Sequence, residues 1–127
     1  MFIGQTANLS PTHVFTVATA LTGGAFTAVT LGENGVKTCA AGEVPIGILT
    51  AETELPQAVG EDVNVQILGG AKWIAGAALK AGDLLAAGAN GVAVKATSGQ
   101  YIFARALENA AAGEAVQVQI INAGYKP

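Results

Sequence analysis

The chain has 127 residues, of which 51% are apolar, 12% are charged and 17 are glycines, and its formal net charge is −3. This length allows one compact domain with its own core, or two small lobes that share one. The six basic residues are spread singly, which excludes the basic stripe of a nucleic-acid-binding protein, and no apolar run reaches the ~18 residues of a membrane-spanning helix. Because about a quarter of the residues of an average soluble domain are charged, we expect this weakly charged surface to be covered by a partner or by further copies of the chain.

The first part of the chain is free of charge. Residues 1–32 contain no charged side chain, and the first twelve show no regular period, so we predict an extended N-terminal arm over residues 1–12. The apolar arm residues Phe2, Ile3 and Leu9 favour an arm that docks on another surface over one that is a frayed terminus. The segment also lacks the basic start of a signal peptide, so we expect synthesis in the cytoplasm.

From residue 13 onward, short apolar and β-branched runs alternate with glycine-containing turns, which is typical of a chain of β-strands. The strands predicted in the first half are His13–Ala18, Phe26–Leu31, Val36–Ala40, Pro45–Thr50 and Val63–Leu68. Asn34-Gly35 predicts a type I′ hairpin turn, because both central positions of that turn need positive φ. In the last strand, strict alternation predicts that the aliphatic residues point inward and that Asn64 and Gln66 point outward.

The second half follows the same plan. A short strand, Lys72–Ala75, is predicted to link the halves. The strands predicted after it are Leu84–Ala87, Val92–Ala96, Tyr101–Leu107 and Ala115–Asn122. Asn90-Gly91 predicts a second hairpin, and Glu108–Gly113 contains enough alanine to predict one helical turn. In the last strand, Gln117 and Gln119 are expected to point outward.

The two halves are copies of one module. Asn34-Gly35-Val36 aligns with Asn90-Gly91-Val92, and Val63–Ile67 aligns with Val116–Ile120. The copies span about residues 20–71 and 78–124. We therefore predict an all-β fold, a small β-barrel or sandwich built from two tandem copies of a short β-module, with residues 13–127 as a single domain. Whether the copies form one barrel or two lobes stays open.

No set of side chains suited to catalysis is visible. His13 and Cys39, the only histidine and the only cysteine, lie on different predicted strands, and a lone cysteine in a strand is usually a small buried hydrophobe. The close acidic pairs, Glu61-Asp62 and Glu52/Glu54, fall in predicted turns, where solvated charge is ordinary. The ligand spacings of zinc and calcium sites do not occur. We therefore expect no enzyme activity, no bound metal and no cofactor.

Two residues that each occur once are candidates for contact with another copy of the chain. Trp73, the only tryptophan, lies in the predicted link and is either a core residue or the anchor of an oligomer interface. Arg105, the only arginine, interrupts an apolar strand and either forms an ion pair across a subunit boundary or points to solvent. The residues alone do not decide between these alternatives.

Several short sequence segments of the chain resemble the capsid decoration (cement) proteins of tailed bacteriophages. They are Leu79-Lys-Ala-Gly-Asp83, the Asn90-Gly91-Val92 hairpin and the ending Ala110–Ile120, set among Gly/Ala-rich turns. The resemblance covers most of residues 13–122. It implies a β-rich virion protein that binds the outer surface of the assembled head, commonly as a homotrimer. There it clamps neighbouring major capsid subunits against the pressure of the packaged DNA.

In that family an N-terminal segment often becomes ordered on the shell. By this resemblance, Phe2, Ile3 and Leu9 would contact the capsid, and the β-body, with Trp73 and Arg105, would make the trimer. The implied partners are the major capsid protein and further copies of the chain, without nucleic acid or membrane. A tail or fibre subunit, or a surface-layer component, is the alternative. A biotinyl- or lipoyl-type carrier domain is a remote one, because neither Asn-Gly hairpin carries the exposed lysine that a carrier needs.

Overall fold

Nearly all regular structure in the described part of the chain is β-strand. The computed structural model describes residues 12–50 and 59–127, so the predicted arm up to residue 11 and the Glu52/Glu54 pair lie outside it. The described strands form two antiparallel sheets of five strands each, and neither sheet is a closed barrel. The predicted all-β fold is confirmed, in its sandwich-like form.

Each sheet is built from one half of the chain. The strands of the first sheet are β1 (Thr12–Thr16), β2 (Ala28–Gly32), β3 (Gly35–Thr38), β4 (Gly47–Leu49) and β5 (Asp62–Gln66). The strands of the second sheet are β6 (Gly69–Ile74), β7 (Leu84–Ala87), β8 (Ala93–Lys95), β9 (Tyr101–Ala106) and β10 (Ala115–Tyr125). A short 3-10 turn, Ala89–Gly91, lies between β7 and β8.

The two sheets have the same strand order. They read β1-β5-β4-β2-β3 and β6-β10-β9-β7-β8, so in each half the first strand pairs with the fifth and the second lies between the fourth and the third. One parallel bridge in each half joins the end of the first strand to the third strand, Val17 to Val36 and Ala75 to Ala93. The repeat in the sequence is therefore a repeat of a five-stranded unit. We call residues 12–66 module one and residues 69–125 module two.

The modules begin earlier than the sequence match. The match begins at Ala20 and Ala78, whereas the equivalent first strands begin at Thr12 and Gly69. The predicted link strand, Lys72–Ala75, overlaps β6 and is thus the first strand of module two. The first strands share a position in the sheet but little sequence, which is why the alignment of the halves missed them.

Both predicted hairpins are present, but their turns differ from the predicted type. Between β2 and β3 the turn residues are Glu33 and Asn34, and positive φ (143°) occurs only at Gly35, inside β3. Between β7 and β8, Asn90 and Gly91 have φ values of 58° and 77° as predicted, but they lie in a longer connection that contains the 3-10 turn. The Asn-Gly pairs predicted the positions of the hairpins correctly but not the geometry of their turns. Each glycine also lies against a neighbouring backbone segment, which an isolated hairpin turn does not have.

The buried residues form a core that crosses the boundary between the modules. The largest cluster combines Ala28, Cys39 and Ile48 of module one with Trp73, Leu79, Leu85, Phe103, Val116 and Val118 of module two. A second cluster lies within module one and contains Val17, Leu21, Val29, Val36, Leu49, Val63 and Val65. Because the largest cluster takes side chains from both sheets, the two modules are packed together through apolar contacts.

The predicted alternation of the two closing strands is correct with one exception. The valines of β5 are buried, and Gln117 and Gln119 of β10 are exposed. Gln66, expected to point outward, is only 8% exposed. Its side chain points away from the core of module one and borders a depression that Ala71 and Lys72 of module two also line.

The predicted helical turn near the end of the chain is absent. Residues 108–113 form irregular turns, and Ala110 makes an isolated antiparallel bridge with Leu79. The bridge is formed by two backbone hydrogen bonds, of 2.9 and 3.0 Å. Pairing with a distant residue therefore overrides the helical preference of the alanines in this short segment.

Candidate interaction surfaces

The residues predicted to bind partners fall in separate places. Phe2, Ile3 and Leu9 lie outside the described residues, so their contact with a capsid stays a prediction. Trp73 and Arg105 both lie in module two, on β6 and β9. The structure does not bring these two together, because they point to opposite faces of the second sheet.

Trp73 is part of the core. Its side chain has no exposed surface, and its indole Nε1–H donates a hydrogen bond to the carbonyl oxygen of Gly91 at 2.7 Å. Its ring meets Phe103 edge to face, with 5.6 Å between the ring centroids. A side chain buried in this way presents no surface to a second copy, so the core interpretation fits Trp73.

Arg105 lies at the centre of the outer face of the second sheet. It is exposed on the middle strand β9, opposite Gln119 on one side and Leu84 on the other. Among the described residues the one ion pair is Lys37–Glu43, at 3.5 Å, so Arg105 has no acidic partner there. Its guanidinium group is therefore available to a partner from outside the described part of the chain.

The outer face around Arg105 carries few charges. Lys72 pairs with Gln117 across β6 and β10, and both are exposed. Leu107 is 51% exposed and borders a shallow depression of about 230 Å³ beside them. This face thus combines neutral amides, exposed aliphatic surface and two cations.

The cysteine and the histidine do not form a nucleophilic pair. Cys39 is fully buried, with its sulfur 3.6 Å from the backbone oxygen of Glu43, whereas His13 is exposed on β1. Burial, and then the neighbouring Glu43 carboxylate, raise the pKa of the Cys39 thiol to about 12. The thiol therefore stays protonated at neutral pH, and a protonated thiol is a poor nucleophile.

Three acidic side chains and one glutamine close a four-residue turn that occurs repeatedly. In each turn the third residue is a glycine with positive φ, and the N–H of the fourth residue donates to the carbonyl of the first. The side-chain oxygen of the fourth residue accepts the N–H of the first, at 2.8 to 2.9 Å. The turns are Ala40–Glu43, Lys80–Asp83, Thr97–Gln100 and Ala111–Glu114. From the sequence we assigned these side chains no role, although the recurring Gly-Glu, Gly-Asp and Gly-Gln pairs were the signal for this structural one.

The described residues offer little for other ligands. Within residues 12–50 and 59–127, no group of three or more His, Cys, Asp or Glu side chains is placed to hold a metal ion. In the same ranges, no helix has the length and apolar character needed to cross a bilayer.

Comparison with known proteins identifies the fold. A scan against protein-family models finds no match, and a search of curated proteins finds none. Among solved structures, the chain is similar to the N base of the head fiber protein gp8.5 of bacteriophage phi29, with a TM-score of 0.68 and 20% sequence identity. The similarity covers 94% of this chain and 100% of that one. The two-module β-fold described here is thus shared with the base of a phage head fibre.

Proposed function

We propose that this chain is a structural virion protein that binds the exterior of an assembled phage head and cements neighbouring major capsid subunits. The observation that carries the proposal is the fold shared with the phi29 head fiber base, over 94% of this chain. Two further observations support it: the sequence segments that resemble capsid decoration proteins, and the low charge of the surface. The partners are the major capsid protein and further copies of the chain, which form a homotrimer, without catalysis or a cofactor.

The chemistry of the arm suits attachment to a protein shell. Residues 1–32 carry no charged side chain, so the backbone of the arm can pair with an exposed capsid strand without removing water from ions. Copies joined in one oligomer bind through several arms at once, and each arm raises the effective concentration of the others. Modest affinity of a single arm therefore becomes strong attachment to the head.

A second candidate function follows from the same similarity. The similar structure is the base of a head fiber, so this chain is alternatively the part of a fibre that attaches to the head. A cement protein occupies every equivalent site of the shell and raises the resistance of heads to heat and to loss of DNA. A fibre base leaves that resistance unchanged and places a projection at each occupied site.

The test uses purified heads of the phage that encodes the chain. We expect the protein to sediment with expanded heads and not with unexpanded ones, and imaging to show its density on the outer surface. A chain lacking residues 2–12 should bind heads more weakly. A full-length control with Phe2→Ser, Ile3→Ser and Leu9→Ser keeps the length of the arm and removes its apolar side chains.

Each result of this experiment has a definite reading. Binding to heads that raises their resistance to heat supports cementing, and binding without that effect supports a fibre base. No binding to expanded heads contradicts both functions. If the truncated chain binds with unchanged affinity, attachment through the arm is wrong, and the β-body makes the contact.

A further inference from the structure

The sheet of module one has two faces. One face carries the core of module one, and module two covers the other. Ala28 of β2 pairs with Ile48 of β4, which pairs with Gln66 of β5, so the three form a row across the sheet. They are 0%, 1% and 8% exposed. Ala28 and Ile48 belong to the cluster built around Trp73 of module two. We call Ala28, Ile48 and Gln66 the covered row.

The equivalent row of module two is uncovered. Leu84 of β7 pairs with Arg105 of β9, which pairs with Gln119 of β10, at the same three strand positions of the repeat. Arg105 and Gln119 are exposed, and Leu84 is half-buried. Arg105 stands where module one has Ile48, and its aliphatic stem can cover an apolar neighbour while its guanidinium group reaches the rim of a contact. We call Leu84, Arg105 and Gln119 the open row.

Module two receives the covered face of module one at one end of its own sheet. The N–H of Ile74 donates to the Phe26 carbonyl at 2.8 Å, and the N–H of Gly42 donates to the Ala87 carbonyl at 3.1 Å. The turn at Gly91 lies directly against the backbone of β2. Ala87 at this end is only 1% exposed. The contact between the modules is therefore both apolar and hydrogen-bonded.

The same end of module one is uncovered. Leu31 corresponds to Ala87, because each is paired with the third-strand residue that makes the parallel bridge, Val36 or Ala93. Leu31 is nevertheless 57% exposed. Next to it, the exposed Glu33 lies in the turn that corresponds to the 3-10 turn of module two. We call Leu31 and Glu33 the open end.

We propose that copies of this chain associate head to tail, with the open row of one copy covering the open end of the next. This contact repeats between chains the contact that joins the two modules within a chain. The charges are complementary, since the cation Arg105 lies in the open row and the anion Glu33 in the open end. The contact is heterologous, and it gives a closed ring when the rotation per copy closes.

This proposal rests on the proposed function, because it names the surface through which copies of the chain associate. Its test uses the purified protein without phage heads. Its failure and the failure of capsid binding are therefore distinguishable. Leu31→Lys removes apolar area and places a cation opposite Arg105, whereas Arg105→Glu places an anion opposite Glu33. Val59→Lys is the matched control, because Val59 is 65% exposed and lies in neither the open row nor the open end.

The mass of each protein is measured by analytical ultracentrifugation at high micromolar concentration, and its fold is checked by circular dichroism. We expect the full-length chain and Val59→Lys to have the mass of an oligomer. Leu31→Lys and Arg105→Glu should each fall to the mass of one chain. An equal mixture of these two variants should recover association, because Leu31→Lys keeps an intact open row and Arg105→Glu keeps an intact open end.

Three outcomes overturn the inference. The first is a full-length chain with the mass of a single copy. The second is an oligomer that neither substitution weakens, which places the interface elsewhere. The third is a mixture of folded variants that stays monomeric, because a heterologous contact leaves one intact pair of surfaces in that mixture.

Discussion

Gly91 joins the two modules through the absence of a side chain. Its φ is 77°, and a Cβ at this position would lie 2.5 Å from the backbone oxygen of Ala28. Its own carbonyl accepts the indole N–H of Trp73. A single residue therefore touches the backbone of module one and holds the largest side chain of module two. Gly99 has a similar φ of 85°, but no atom lies within 4 Å of the place of its Cβ.

This pair of glycines gives a prediction at the level of the residue. Gly99→Ala should lower the free energy of unfolding by about 1–2 kcal/mol, the cost of a left-handed alanine. Gly91→Ala should lose about 1–3 kcal/mol more, because its methyl group also collides with the backbone of β2. Urea unfolding at neutral pH measures both losses. Equal losses for the two variants would show that module one can move away from Gly91 without cost.

At the level of the element, the repeated glycine turns give a weakly charged chain its well-defined connections. Ala111–Glu114 is one of these turns, and it also pairs with the end of β6. The N–H of Gly113 donates to the Ala75 carbonyl at 2.7 Å, and the N–H of Ala75 donates to the Glu114 carbonyl at 2.8 Å. Each such turn is thus closed by its own side chain and attached to a neighbouring strand. Carboxylates used in this way are structural acceptors.

Glu114 provides the prediction for these turns. Its carboxylate accepts the N–H of Ala111 at 2.8 Å, and Glu114→Ala should lower the free energy of unfolding by about 0.5–1.5 kcal/mol, the net contribution of a typical hydrogen bond. Glu114→Gln should lose much less, because Gln100 makes the same bond to Thr97 at 2.8 Å in the equivalent kind of turn. Urea unfolding of both variants checks the order. A glutamine variant as unstable as the alanine variant would assign the effect to charge.

For the whole molecule, the shared core decides how the modules behave together. Ala28, Cys39 and Ile48 of module one are buried in the same cluster as Trp73 and Phe103 of module two. Separating the modules would expose these side chains to water. Burial of one such side chain contributes roughly 1.5–3 kcal/mol, so the modules stabilise each other. The shared cluster therefore ties the stability of one sheet to that of the other.

We accordingly expect one cooperative unfolding transition. Trp73 is the only tryptophan, so its fluorescence reports the boundary between the modules, whereas far-ultraviolet circular dichroism reports both sheets. In urea the two signals should change at the same midpoint. A fluorescence change that precedes the loss of β-structure would mean that the modules separate before they unfold, and would contradict the shared core as the source of stability.

The local features of this protein were predictable from its amino-acid sequence. Period-2 runs and glycine spacing predicted most strands, and the repeat predicted two copies of one β-unit. Val65 and Gln119 point inward and outward as their alternation requires. These features could be predicted because the face to which a strand side chain points, and the position of a turn, depend on neighbours within a few residues. The weak similarity of the first strands hid the true start of each module.

Which faces are covered depends on how the two modules pack against each other. Gln66 and Gln119 occupy equivalent positions of the repeat and both point away from the core of their own module, yet Gln66 is buried and Gln119 is exposed. Trp73 likewise could be assigned to the core only from its contacts. No local pattern distinguishes such positions, because burial there depends on whether a module distant in sequence packs over them. The exposed face around Arg105, and with it the proposed contact between copies, follows from that packing.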